Sequence, residues 1–310
     1  MLSLILAAAL LSDPAATPVS LPSHPAPLHG TLLAPDGDPR AVAVILPGSG
    51  PTDRDGNSPQ FGIVGGSYRR LAEGLAAQGV ATVRIDKRGI GESAAAGMSE
   101  TDLRFTHLSD DARAWAAEAA RLTGRPCAWL IGHSEGALVA LAAVKEGDDK
   151  VCGLVLLSGA GRPARLVLEE QLGPQLPEPM RSQAFHALAE LEAGRTVADT
   201  PPELAALLRP SVQPYLISWL ALDPAALAAA YDGPVMVGQG STDLQTTVAD
   251  ARAIAAADPQ ARLVIWEGVN HMLRIAPADR AANIATYYDA ALPLAPGVVD
   301  DVAGFILQPR

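Results

Sequence analysis

Cys127-Ala-Trp-Leu-Ile-Gly-His-Ser-Glu-Gly136 decides how the rest of the chain is read. Its apolar start predicts a strand buried on both faces. Its end, Gly132-His133-Ser134-Glu135-Gly136, predicts a sharp turn into a helix. Gly-x-Ser-x-Gly arises easily by chance in a chain with 28 glycines. Between a strand and a helix it becomes specific. So tight a turn strains its central residue, and side chains at the flanking positions would collide. The Ser134 hydroxyl is left exposed at a helix N-terminus, where free N–H groups favour negative charge. The alternative is an ordinary tight turn with an inert serine.

Outward from this turn, strands and helices alternate. Leu28 to Ala34 predicts an early strand and Ala41 to Leu46 an unbroken apolar one closed by Pro47-Gly48. A helix over Tyr68 to Gln78 ends at Gly79, before a strand over Val80 to Ile85. Leu108 to Leu122 has helical apolar spacing behind the acidic pair Asp110 and Asp111. Further strands are predicted from Val151, over Pro234 to Val237 and over Arg262 to Trp266, with helices over Val248 to Ala257 and Ala278 to Leu292. The pattern implies an α/β fold, a mostly parallel sheet with helices on both faces. It fails between Gly161 and Asp232, where Leu, Ala and Pro suggest several short helices. The expected division is a terminal segment (1–27), a core (28–160 and 233–295) and a helical cap or lid (161–232).

Composition narrows the possible roles. Of the 310 residues, 49% are hydrophobic and 18% charged, enough to bury a large core and unlike a disordered chain. A net charge of −11 with no basic run beyond a doublet excludes nucleic acid as a partner. Met1 to Leu11 is apolar apart from Ser3, too short to span a bilayer, and resembles the core of a secretory signal lacking a basic start. Pro14 to Pro27 reads as a linker or extended arm. Periplasmic or secreted localisation is therefore expected, with the cytoplasm as the alternative. The two cysteines, Cys127 and Cys152, each open a predicted strand; neighbouring strands would allow a disulfide, and separated ones two buried thiols. No Cys/His cluster has metal-ligand spacing, and no Gly-Lys-Ser/Thr follows the Gly-rich loop, so neither a metal nor a nucleotide cofactor is expected.

A serine hydroxyl needs a base to become nucleophilic. Of six histidines, His271 stands in a loop shortly after the last strand, where catalytic groups of parallel sheets collect. His133 adjoins the serine, but neighbouring side chains in such a turn are expected to point apart. The base in turn needs a carboxylate, and Asp243 follows the strand over Pro234 to Val237. Asp250 and Asp258 belong to the next helix; Glu267 and Asp223 are weaker rivals. Pro47-Gly48-Ser49-Gly50 follows the central strand, so the backbone N–H groups of Ser49 and Glu135 are the expected oxyanion donors. The Glu135 side chain, if it faces the pocket mouth, would disfavour anionic substrates.

The order Ser134, Asp243, His271 and the strand–turn–helix context resemble the α/β-hydrolase superfamily over about Leu28 to Leu292. More narrowly, Leu46-Pro-Gly-Ser-Gly-Pro-Thr-Asp-Arg-Asp-Gly-Asn57, Asp86-Lys-Arg-Gly-Ile-Gly-Glu-Ser93 and Gly132-His-Ser-Glu-Gly136 resemble the blocks of EstD-type bacterial carboxylesterases. The resemblance implies hydrolysis of small carboxylic esters, with short acyl chains, by the same triad and without metal or organic cofactor. Ser241-Thr242 departs from that pattern, where bulkier or charged residues are expected before Asp243. A peptidase, amidase or acyltransferase with the same triad, or a non-catalytic binding protein, are the other readings. Thr52, Asp53, Arg54, Asp55 and Asn57 are expected to form a self-bonded loop, with Arg54 or Arg88 paired to its aspartates.

Overall fold

Strand β3 (Ala41–Leu46) shows how the sheet is held. Its six residues are all buried, with Val42, Val44 and Leu46 in one apolar cluster and Ala41, Ala43 and Ile45 in another on the opposite face. Alternation along a strand sends side chains to both sides, so an unbroken apolar run requires cover on both. The computed structural model, which describes residues 16–308, supplies that cover with helices.

The other strands are β1 (Ala16–Leu21), β2 (Leu28–Leu33), β4 (Val80–Ile85), β5 (Ala128–His133), β6 (Val151–Leu157), β7 (Val235–Gly240) and β8 (Arg262–Trp266). They form one sheet of eight in the order β1-β2-β4-β3-β5-β6-β7-β8. β2 runs antiparallel to both β1 and β4, and all remaining pairs are parallel. From β3 the chain steps outward to β4, then crosses back to place β5 on the other side of β3. The carboxyl ends of β3 and β5 thus flank the point where the winding reverses, the usual ligand crevice of such sheets.

Helix α1 (Ser67–Ala77) covers one face of the sheet, and α2 (Phe105–Thr123) and α3 (Glu135–Ala143) the other. Between β6 and β7 run α4 (Ala164–Leu172), α5 (Met180–Glu192), α6 (Ala205–Leu208), α7 (Gln213–Leu220) and α8 (Pro224–Ala229). Leu188, Leu191, Leu208 and Leu216 give this insertion an apolar cluster of its own. The chain closes with α9 (Val248–Ala257), α10 (Arg280–Ala285) and α11 (Val298–Ile306).

Two expectations need correction. The arm before residue 28 is in part strand β1, which pairs with β2 from Ala16↔Leu33 to Leu21↔Leu28. Its Pro18 is tolerated because β1 is the edge of the sheet, where one side of a strand needs no N–H donors. The helix expected over Ala278 to Leu292 stops at Ala285 and passes into a short 3-10 turn, Thr286–Tyr288. The buried Arg274 guanidinium binds the carbonyls of Thr286 (3.0 Å) and Asp289 (2.5 Å) and so fixes the chain after the stop. The helix that completes the core is α11, whose Val298, Val302 and Phe305 pack on the α1 face. The stretch from Met1 to Leu11 lies outside the described residues, and among those described no helix is long and apolar enough to cross a membrane.

Cys127 and Cys152 form a disulfide between the start of β5 and the start of β6, as adjacency of the two strands allows. Closing a loop across 25 residues stabilises by about 3 kcal/mol on the chain-entropy model.

Candidate active site

Ser134 stands between β5 and α3 with φ 56° and ψ −121°, a backbone conformation that L-residues rarely adopt. Two glycines make the turn possible. A Cβ on Gly132 would run into the carbonyl of Gly136, and one on Gly136 into the carbonyl of Leu46 at the end of β3. Packing this close sets the Gly48 turn directly against Ser134. Ser49, Ser134 and Glu135 consequently line one cavity. No side chain caps α3, so its first N–H groups remain available to an anion.

Asp243 and His271 come from the loops after β7 and β8, and their side chains meet. His271 Nδ1 lies 2.8 Å from Asp243 Oδ2 and 3.1 Å from Oδ1. The carboxylate also accepts from Gln239 Nε2 (3.0 Å), Gln245 N (2.8 Å), Thr246 N (3.1 Å) and Thr246 Oγ1 (3.1 Å). Burial opposes ionisation here, but the His271 ring and the backbone donors outweigh it, and the Asp243 pKa falls below the usual carboxylate range. An ionised Asp243 fixes the proton on Nδ1 and leaves Nε2 of a neutral ring free to accept one. His271 and Ser134 line a common cavity.

The rival carboxylates are occupied. Asp250 binds Arg162 Nε at 2.7 Å and caps α9, Asp223 caps α8, Glu267 accepts from Ser241 Oγ, and Asp258 accepts from Gln260 N. The Ser241-Thr242 departure is also explained locally. Ser241 holds Glu267 and Gly268 N, and Thr242 N donates to Val269 O, joining the two loops that carry Asp243 and His271.

His133 does not point away from the site. Its ring centroid is 4.8 Å from that of His271. Nε2 is 2.8 Å from the His271 carbonyl oxygen, and Nδ1 is 2.8 Å from the Tyr68 hydroxyl, which is 3.1 Å from Gly48 N. The partners settle every proton. A carbonyl only accepts, so His133 Nε2 donates to it; Nδ1 then accepts from Tyr68, whose oxygen accepts from the Gly48 N–H. Burial first, and repulsion from His271 second, lower the His133 pKa to about 3, so the ring stays neutral. Tyr68, in α1, thereby ties the turn after β3 to the backbone of His271. Tyr68→Phe leaves two buried polar groups without partners. It should cost about 1–3 kcal/mol in a denaturant melt and lower kcat by roughly tenfold with little change in KM, as the site loses its alignment.

The loop after β3 is braced from β4. Arg54 reaches out to Asp86 (2.5 Å) and Glu92 (2.6 Å), while Arg84 pairs with Asp55, and Asp53 accepts from the N–H groups of Asp55 and Asn57. The loop is thus self-bonded, as expected, but with different partners: Arg84 takes Asp55, Arg54 turns out to Asp86 and Glu92, and Arg88 pairs with Asp111 at 2.5 Å, while Thr52 lines the cavity beside Ser134. Lys87 Nζ binds the Gly48 carbonyl at 2.5 Å and lies 3.8 Å from the Glu135 carboxylate. Tyr215 of α7 donates to the same carboxylate at 3.0 Å. The Glu135 carboxylate is therefore engaged by Lys87 and Tyr215 rather than standing unpartnered beside Ser134.

Sheet order, strained serine elbow and His–Asp pair together define a serine hydrolase of the α/β-hydrolase fold. The chain belongs to the serine aminopeptidase S33 family, whose sequence model matches residues 61–280. Among solved structures it is similar to Est1E from Butyrivibrio proteoclasticus, at 17% identity and a TM-score of 0.58, covering 94% of this chain and 97% of that one. It is also similar to a putative hydrolase from Agrobacterium vitis S4 (17% identity, TM-score 0.56, 95% and 100% covered). XC6422 from Xanthomonas campestris, described as an α/β serine hydrolase without lid, matches at 15% identity with a TM-score of 0.51, over 95% and 97% of the two chains. At such identities the likeness is one of fold. Comparison with curated proteins finds no match.

Proposed function

We propose that the chain is a carboxylesterase acting on small esters through an acyl-enzyme on Ser134. His271 Nε2 takes the Ser134 proton as the hydroxyl oxygen attacks the ester carbonyl. The N–H groups of Ser49 and Glu135 stabilise the oxyanion that forms. The imidazolium, balanced by Asp243, then protonates the departing alcohol. Water enters, His271 removes its proton as the oxygen attacks the acyl carbonyl, and the imidazolium returns that proton to Ser134 Oγ as the acid departs.

The observation that carries the choice of ester is electrostatic. A peptidase that reads a free N-terminus needs an anion for the substrate ammonium, because a buried unpaired charge is costly. Among the described residues lining the two cavities that meet at Ser134, Glu135 supplies the one carboxylate. It is already engaged by Lys87 and Tyr215. The family match to serine aminopeptidases supports the second reading, an aminopeptidase with the same triad. Rates on p-nitrophenyl butyrate and on aminoacyl p-nitroanilides separate the two. The ester should win in kcat/KM by about a hundredfold or more after correction for the intrinsic reactivity of each substrate; comparable corrected rates would reject the esterase. The resemblance of the Gly48 to Asn57 loop to EstD-type enzymes supports short acyl chains. The proposal includes a helical lid formed by the insertion between β6 and β7, and a periplasmic or secreted location, supported by the disulfide.

A further inference from the structure

Two cavities open from Ser134, and their linings differ. The first lies between α3 and the insertion, against Leu138, Val167, Leu168 and Trp219, with Arg162 and Gln171 also in its lining. The second lies beside the loop after β3, against Phe61, Tyr68, Met272 and Tyr287. His271 lines the second and not the first. That asymmetry orients a substrate. The imidazole that deprotonates the serine must also protonate the leaving oxygen, so the leaving group occupies the imidazole side. The acyl chain is left with the apolar cavity under the insertion.

Trp219 and Leu168 form a partition between that cavity and a further, largely apolar groove against Leu103, Leu108, Leu207 and Leu216; Ser49 and Glu135, beside Ser134, also line both. The Trp219 indole is packed against Tyr215, with ring centroids 6.4 Å apart, and the Tyr215 hydroxyl is bonded to Glu135. The partition is thus fixed to the residue following the nucleophile. We infer that Trp219, in the wall between the two, bounds the acyl pocket and limits the acyl chain accepted, and that the Leu103–Leu216 groove on its other side receives longer chains once the indole is removed. The inference rests on the esterase reading above.

The test compares two substrate series on the full chain: p-nitrophenyl esters from acetate to decanoate, and acetate esters of alcohols of increasing size. Wild type should favour the short acyl chains. In Trp219→Ala the decanoate-to-butyrate ratio of kcat/KM should rise by about tenfold or more, with the ranking of alcohols unchanged. Trp219→Phe, which keeps a ring in place, should hold both rankings close to wild type. Should Trp219→Ala fail to fold, Leu168→Ala opens the same partition and should shift the same ratio in the same direction. An unmoved acyl ratio in a folded variant, or a shift in the alcohol series instead, would overturn the inference while leaving the esterase standing. A wild-type protein inert to every ester in both series would bring down both.

Discussion

Ser134→Ala should lower kcat on p-nitrophenyl butyrate by about 10⁵-fold or more, to the residue of catalysis that binding and the oxyanion site supply alone. The expected loss is large because the hydroxyl oxygen is the atom to which the acyl group bonds, and no neighbouring group can replace it. The substitution should leave the fold intact. Ser134 provides no side-chain cap to α3, and its Cβ already sits 3.2 Å from the place where a side chain on Gly48 would begin, so alanine adds no volume. Steady-state rates and a thermal melt on the same preparation make the comparison. Activity within a hundredfold of wild type would mean that another group is the nucleophile, and a fluorophosphonate adduct located by mass spectrometry would identify it.

Asp243→Asn should lower kcat by about 10⁴-fold through the wrong tautomer of His271. The carboxylate sits among donors only. Oδ1 receives Gln245 N and Thr246 N, and Oδ2 receives Gln239 Nε2 and Thr246 Oγ1 as well as His271 Nδ1. An asparagine amide must place its NH₂ at one of these positions. With two backbone N–H groups fixed on Oδ1, the NH₂ takes the other place and faces His271. Nδ1 must then accept, the proton moves to Nε2, and the ring can no longer take one from Ser134. The same substitution has a pH signature. The folded-state pKa of Asp243 lies below the ordinary carboxylate value, so its contribution to stability is complete above that ordinary value. It is lost as pH falls through the lower folded value. Urea melts should therefore separate wild type from Asp243→Asn near neutrality and bring them together in strong acid. A separation independent of pH would show that the carboxylate charge contributes nothing.

Much of this arrangement was legible in the chain because it is written locally. The two-faced burial of β3 and of Ala128 to Ile131 in β5 produces unbroken apolar runs, and the elbow compresses its glycine requirement into five residues. β1 escaped notice since an edge strand tolerates the proline that argues against a central one. The helix α10 is shorter than the apolar spacing suggests because the residue fixing its end, Arg274, lies outside it and binds carbonyls that hydropathy does not register. The side chains bracing the site were harder still to see. Tyr68, Lys87 and His133 come from different elements, and they meet only because β4, β3 and β5 lie side by side in that order. Nothing in the spacing of Tyr68 from Gly48 or of His133 from His271 announces contact. For the insertion, Leu and Ala content revealed helices but could not show that Tyr215 reaches back to Glu135.

The disulfide lies at the opposite end of the sheet from all of this. Cys127 precedes β5 and Cys152 is the second residue of β6, whereas Ser134 follows the far end of β5. A strand of this length spans roughly 20 Å, so the covalent rung and the reacting hydroxyl never share a neighbour. The two strands therefore have a division of labour along their length: one extremity is stapled against unravelling, the other is given over to bond-making. Thiol reductants should therefore lower the melting temperature while leaving kcat of the folded molecules unchanged.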